Sequence, residues 1–480
     1  MQQKSLGYNA VLNCIKTVVT IIFPLITMPY INRILQVENM GRINFATSYV
    51  NYFIQVAGLG VANYAIREGA KVRESKEELK YFCNQIFTIN CITTLVSYLI
   101  LWGTLIIFPG LNNYLGIIAV LSINVAGATL GISWFYSIVE DYVYITIRTL
   151  LIQVISLLMM FSFVKSSKDV FVYVFILVVS NSGSAIFNLI HSRKYIVIGL
   201  TRRTEWKKHL GPIITLFASS IATIIYVNSD TTMIGLISGD YHNGLYSVSV
   251  KVYTILKNVL FSVFIVTLPR LSFYINNNQE DEYRSVLKKS LSLVILIMCP
   301  IIIGINILCN EVVLIVGGEG YMNATVSLHI LSVAIFFSLT AAYFSYCILL
   351  PTGKEKVMMR AMVISAIVNV LLNFIMIPWM DEVGAAITTL ISEILVVLIE
   401  LPYVKSYLEI NKKTILKSLA SVCWIAVWCL LLRRVPLGFM AYTVLAILGS
   451  SVGYFLLLMV MRTEEIMEVI SKVLKLEGKR

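Results

Sequence analysis

GPIITLFASSIATIIYVNSDTTMIGLISGDYHNGLYSVSVKVYTILKNVLFSVFIVTLPR, residues 211–270, holds two apolar runs, Pro212 to Ile237 and Gly244 to Leu268, joined by the short polar loop 238–243. Each run is long enough to cross a bilayer as a helix, which takes about 20 residues. Yet the first carries Asp230 and the second carries Lys251 and Lys257. A charge near the bilayer centre costs roughly 2.5–3.5 kcal/mol, so such residues turn toward a protein or aqueous interior. Folded as a hairpin, the runs set Asp230 and Lys251 at nearly equal depth, which predicts an ion pair. Lys257 lies about 9 Å deeper and about 120° round the helix. It has no partner within the hairpin, and an unpaired cation at that depth predicts a cavity that receives an anion.

Composition extends this reading to the whole chain. Of 480 residues, 58% are hydrophobic and 13% charged, with a mean hydropathy of +0.82. Soluble domains run at roughly 45–50% apolar and about 25% charged. The expected class is an all-α polytopic membrane protein without a soluble catalytic domain. The net charge of +12 sits in short clusters between apolar runs, as in cytoplasmic loops, which argues against nucleic acid. The eight cysteines contain no C-x-x-C pair and read as packing residues. The four histidines show no metal-ligand spacing, so no metal site is expected. With no signal-peptide cleavage pattern, the first apolar run reads as a retained span.

Fourteen apolar runs are candidate spans, at about 10–32, 43–63, 84–108, 114–136, 143–164, 170–190, 211–236, 244–268, 290–316, 323–350, 357–378, 383–404, 415–432 and 438–461. An even number puts both termini on one side. With that side cytoplasmic, the outer loops hold Arg33, Arg42, Lys165, Lys168, Arg433 and Arg434; every other basic residue except Lys251 and Lys257 is inside, as the positive-inside rule requires. Pro24 and Pro29 are expected to bend or break the first helix and act as a hinge. Residues 33–52 echo 233–255 when Gly41 is set against Gly244, and a charged linker follows each copy. Six helices per copy give two parallel repeats. The boundaries follow: 1–200 as an N-lobe of helices 1–6, 201–406 as a C-lobe of helices 7–12, and 407–480 as helices 13 and 14 with a cytoplasmic tail.

Few residues offer chemistry. Thr352-Gly353-Lys354 lacks the upstream glycine of a phosphate-binding loop, Gly317-Gly318-Glu319-Gly320 reads as a tight outer turn, and there is no G-x-S-x-G elbow. ATP hydrolysis in cis is excluded, which leaves an ion gradient or the substrate's own gradient. Candidate substrate contacts are Lys251 and Lys257, Arg33 and Arg42 at the outer mouth, Arg67 at the inner end of the second helix, and the aromatic Tyr64 and Tyr246. Tyr136 and Tyr226 are placed near the same path. Arg67 and Glu68 are neighbours in sequence and do not face each other on a helix, so each is expected to have another partner. Glu140-Asp141 and Arg148 read as a solvated loop. Asp230 is an ion-pair candidate, and Glu393, seven residues before Glu400, is a proton site or a partner for Lys257.

The segments FPLITMPYINRILQVENMGRINFATSYVNYF and LGVANYAIREGAKVR, with NSDTTMIGLISGDYHNGLYSVSVKVY and LPRLSFY, resemble the signature regions of Wzx-type polysaccharide flippases of the multidrug/oligosaccharidyl-lipid/polysaccharide exporter superfamily. The resemblance implies two six-helix lobes in a V around a central cavity, plus an extra C-terminal helix pair that offers a groove for a lipid tail. It implies an undecaprenyl-diphosphate-linked oligosaccharide substrate, moved by alternating access from the inner to the outer leaflet of a bacterial cytoplasmic membrane. The product would be capsule, O-antigen or exopolysaccharide, with the polymerase and chain-length machinery as partners. No cofactor is expected beyond coupling to protons or sodium ions. A diphosphate needs cations, which Lys251 and Lys257 supply. The alternative is a cation-coupled multidrug antiporter of the same fold, against which helices 1–6 carry almost no deep carboxylate. A membrane glycan polymerase or ligase would need a larger outer loop than this chain has.

Overall fold

The computed structural model describes residues 6–409, 411–468 and 471, and every regular element among them is helical. Among the described residues, ten helical stretches are long and apolar enough to cross a membrane, and the fourteen apolar runs fall largely on helical backbone. Two pairs of runs are fused by a single kinked residue. Helix α1 (Leu6–Gly58) breaks at Gln36, with φ 66° and ψ 172°.

Helix α1 keeps helical backbone through Pro24 and Pro29. No break occurs at the proline pair; the non-helical residue, Gln36, lies in the expected outer loop, where the chain turns between the first two runs. Pro24 and Pro29 free the carbonyls of Thr20 and Leu25, a loss that a membrane helix tolerates when neighbouring groups satisfy them.

The chain packs as two compact units, Met1–Ser247 with Val316–Gly320, and Val248–Ile315 with Tyr321–Arg480. Packing is a different criterion from the span count that placed lobe boundaries near 200 and 406. In the first unit, α1 is followed by α2 (Val61–Val72), α3 (Lys76–Ile107), α4 (Leu115–Leu121), α5 (Ile123–Leu130) and α6 (Ser133–Ile138). Next come α7 (Tyr142–Phe163), α8 (Val170–Ser182), α9 (Ala185–Ser192) and α10 (Trp206–Ile237). The charged linker 73–80 enters α3 directly: the Ser75 hydroxyl accepts from the Glu78 amide, and Glu77 and Glu78 occupy the first turn, where acids complement the helix dipole. Two apolar clusters form this unit's core, one around Ile31, Phe45 and Ile118, the other around Tyr64, Ile86 and Phe135.

Helix α11 (Asp240–Asn276) starts in the first unit and runs into the second, which also contains α12 (Glu280–Ile307), α13 (Cys309–Val316), α14 (Ala324–Tyr343) and α15 (Glu355–Val404). Helix α15 is the second fused pair, kinked at Asp381 with φ 49°. The remaining helices are α16 (Lys412–Leu432) and α17 (Phe439–Val460). These two form a hairpin stitched by tryptophan: Trp424 Nε1 donates to the Gly449 carbonyl at 3.0 Å and Trp428 Nε1 to the Leu445 carbonyl at 2.9 Å. A Cβ on Gly453 would come within 1.9 Å of the Trp424 ring nitrogen, so only glycine allows this approach. Tyr454 anchors the hairpin to α12 by donating to the Leu296 carbonyl at 2.8 Å.

Candidate functional site

Lys257 is held, not free. Its Nζ lies 2.9 Å from Glu393 Oε1, and Tyr253, one turn earlier on α11, donates to the same carboxylate oxygen at 2.7 Å. Glu393 is 5% exposed and Lys257 30%. The structure thus joins two residues singled out in the sequence, Lys257 and Glu393, and corrects the reading of Lys257 as an unpaired cation. The hairpin alone could not show this, because the carboxylate arrives from α15.

Lys251 has the opposite fate. It is half-buried on α11 and makes no hydrogen bond or ion pair among the described residues. The expected Asp230–Lys251 pair is not found: Asp230, 7% exposed, accepts from the Tyr246 hydroxyl at 2.7 Å. Tyrosine neutralises no charge, but it satisfies an acceptor oxygen in an apolar setting, where an unpaired one costs several kcal/mol. Further along α15, Glu400 is fully buried and accepts from Ser345 Oγ at 2.7 Å, at the π-helical turn Phe344–Leu349.

At the start of α11, the two glycines aligned by the internal repeat meet. A Cβ on Gly41 would lie 1.8 Å from the Asp240 carbonyl oxygen, and one on Gly244 would lie 2.1 Å from that of Val37. Asn243 Nδ2 donates to the Gly41 carbonyl at 3.0 Å. Beside this contact, Asp240 takes a hydrogen bond from Tyr114 at 2.7 Å and lies 3.8 Å from Arg42, whose Nη2 donates to the Asn113 carbonyl. Arg42 is therefore a partly exposed clamp on this contact. Arg33 is exposed, with its guanidinium on the Pro29 carbonyl and its stem against Gly318.

Other candidates are spread apart. Arg67 bonds to its own neighbour Glu68 at 3.0 Å, and Glu68 also takes Lys71 at 2.7 Å. The expectation of separate partners fails because an exposed guanidinium on a long stem can fold back along the helix surface. Tyr64, Tyr136 and Tyr246 are core residues, each at most 4% exposed with its hydroxyl engaged. Tyr64 meets His209 Nδ1 at 2.8 Å, while His209 Nε2 meets Gln85 Oε1 at 3.1 Å. The same oxygen accepts from the Glu205 amide, so Nε2 carries the proton and Nδ1 accepts from Tyr64. Burial, helped by the nearby Lys208 charge, pushes the His209 pKa below its ordinary value. A lone histidine in a polar linker gave no sign of this in sequence.

Nor is 140–148 a solvated loop. Arg73 pairs with Glu140, Asp141 accepts from Tyr195 at 2.9 Å, and Arg148 donates to Asn188 at 2.7 Å.

A sequence profile for the family described as "Polysaccharide biosynthesis protein" matches residues 6–275, more than half of the chain. The chain belongs to that family. A second profile, "Lipid II flippase MurJ", matches residues 245–457. A "Putative O-antigen transporter" of Escherichia coli is 24% identical over 398 residues, covering 80% of this chain and 93% of the relative. A "Probable low-salt glycan biosynthesis flippase" of Haloferax volcanii is 27% identical over 232 residues, covering 46% of each chain. Among solved structures, "Lipid II flippase MurJ, inward closed conformation" superposes with a TM-score of 0.72 at 15% identity, covering 95% of this chain and 100% of the other. An inward-facing MATE family multidrug transporter gives 0.54 at 11% identity, covering 80% and 97%. The fold is thus that of the exporter superfamily, in agreement with the motif resemblance. As a polysaccharide biosynthesis family member the chain is a Wzx-type, multi-span membrane transporter rather than an enzyme.

Proposed function

We propose that this chain moves an undecaprenyl-diphosphate-linked oligosaccharide repeat unit from the inner to the outer leaflet of the bacterial cytoplasmic membrane, by alternating access, with both termini cytoplasmic. The names of its relatives, an O-antigen transporter and a glycan biosynthesis flippase, support the substrate class. The observation that carries the mechanism is Lys251, a half-buried ammonium in a membrane helix with no partner among the described residues. Keeping that charge in an apolar span is costly unless an anion meets it, and a diphosphate is such an anion. Lys257 supplies a second cation once Glu393 releases it, and protonation of Glu393 is a route by which an ion gradient couples to the cycle. Arg33 and Arg42 lie near the outer end of the path. Polymerase and chain-length proteins would receive the product.

The test is complementation of a deletion strain with wild type, Lys251→Ala or Lys257→Ala at matched protein levels. Lipid-linked repeat units accumulate on the inner leaflet in the Lys251→Ala strain, with a smaller build-up for Lys257→Ala. Full rescue of surface polysaccharide by Lys251→Ala removes the diphosphate role of this lysine.

A further inference from the structure

The first unit contains a cavity of about 300 Å³ between α1 beyond its break, the α4–α5 run and α8. Five polar side chains line it: Thr47, Asn51, Asn124, Asn181 and Ser182; aliphatic residues complete the wall. No acidic or basic residue contributes. Ser182 Oγ donates to Asn124 Oδ1 at 2.7 Å. Asn124 is 7% exposed, and its amide nitrogen makes no hydrogen bond among the described residues. The side chains of Thr47, Asn51 and Asn181 likewise make none among the described residues. All five sit in apolar stretches, with Asn124, Asn181 and Ser182 on helices able to cross the membrane.

An amide in an apolar setting without a hydrogen bond costs about 2–7 kcal/mol. Asn124 is buried, Thr47 and Asn51 are half-buried and Asn181 is exposed, so that penalty bears on Asn124 alone. The three carboxamides and the Thr47 hydroxyl face one open cavity, with hydrogen-bonding capacity available to an occupant. Each carboxamide offers two N–H donors and an acceptor oxygen, so the occupant must alternate donors and acceptors. A wall without charge is poorly suited to a diphosphate or a metal ion. The volume is at the small end for ligand sites, which run to about 300–1,000 Å³, and suits one ring rather than a chain. Hydroxyl and acetamido groups on a pyranose meet every one of these requirements.

We propose that this cavity is a carbohydrate subsite that holds one neutral or N-acetylated sugar of the translocated oligosaccharide, with Asn51, Asn124 and Asn181 as its specificity-determining contacts. The proposal rests on the functional reading above and adds where the glycan, as opposed to its diphosphate, is recognised.

Full-length protein in detergent micelles tests it with two probes: undecaprenyl diphosphate, and the lipid-linked repeat unit extracted from a strain deleted for this chain. Wild type binds the glycan-bearing carrier more tightly than the bare one. Asn51→Leu and Asn181→Leu, which keep side-chain volume, and the milder Thr47→Val each weaken the glycan-bearing probe by about five- to tenfold, as loss of one or two hydrogen bonds implies. Binding of the bare carrier stays unchanged, which also reports an intact fold. Unchanged binding of both probes in all three variants overturns the subsite and leaves the cavity to water. Equal loss of both probes in all three overturns it as well, because glycan contact is then not what was removed. Wild type that binds both probes equally overturns the subsite while sparing the diphosphate reading. Wild type that binds neither overturns the functional reading itself.

Discussion

Two lysines six residues apart on α11 meet opposite surroundings. Lys257 is neutralised by Glu393 and braced by Tyr253, whereas Lys251 has no such partner among the described residues. Removing one member of a buried pair leaves an uncompensated charge and costs about 3–5 kcal/mol, while replacing both with apolar residues is often neutral. Glu393→Ala is therefore expected to lower the thermal unfolding midpoint in detergent by several degrees, and Lys257→Met with Glu393→Leu to restore most of it. Equal destabilisation by the single and double variants would show that the pair is not coupled. His209 gives a pH signature. Its folded-state pKa lies below the ordinary value, so the unfolded chain binds the proton more readily. The contribution is fully present above about pH 6.5 and is lost as pH falls below that value. Thermal midpoints measured from pH 7 to pH 5 should fall in wild type and fall less in His209→Gln, where an uncharged amide replaces the imidazole. Charges at membrane depth were legible in the sequence because hydropathy makes them conspicuous. Glu393 reads in the sequence as a partner for Lys257, and the pair forms. The Tyr246 hydroxyl on Asp230 was not foreseen, because hydropathy ranks charges and says nothing of which neutral group meets them.

At the scale of elements, the apolar runs fall largely on helical backbone, but α3 starts at Lys76, ahead of its run at 84–108, because the Ser75 cap lies in a polar linker that hydropathy passes over. The turn in α1 falls in the expected loop between the first two runs, but no break occurs at Pro24 or Pro29. Proline removes a donor but leaves helical dihedrals available, whereas the reversal between the first two runs needs one residue at positive φ, and that residue is Gln36. The internal repeat had a physical outcome: Gly41 and Gly244 approach so closely that neither has room for a methyl group. Gly41→Val forces backbone apart and should cost about 1–3 kcal/mol, read as a lower thermal midpoint. Gly103→Ala, where a Cβ meets nothing within 4 Å, should leave the midpoint unchanged or slightly raised. Similar midpoints for both variants would mean that the glycine contact contributes nothing.

Across the whole molecule, composition was enough for the membrane class, and the motifs in the first two runs were enough for the family. The site was legible only in outline. Tyr64 and Tyr246 read as substrate contacts, and Tyr136 as lying near the path, because a buried tyrosine and a cavity tyrosine have the same sequence context; burial and engaged hydroxyls place all three in the core. The amide-lined cavity had no sequence signal, because Asn51, Asn124 and Asn181 are far apart along the chain and single asparagines in apolar helices are unremarkable. The proposed mechanism is that Lys251, without a partner among the described residues, receives a diphosphate. Its most direct test is leaflet-to-leaflet movement of the lipid-linked repeat unit in liposomes containing purified full-length protein, compared between wild type and Lys251→Gln. Wild type should transfer the lipid, and Lys251→Gln should do so at least tenfold more slowly at equal protein incorporation. Equal rates for the two proteins would contradict the proposed mechanism.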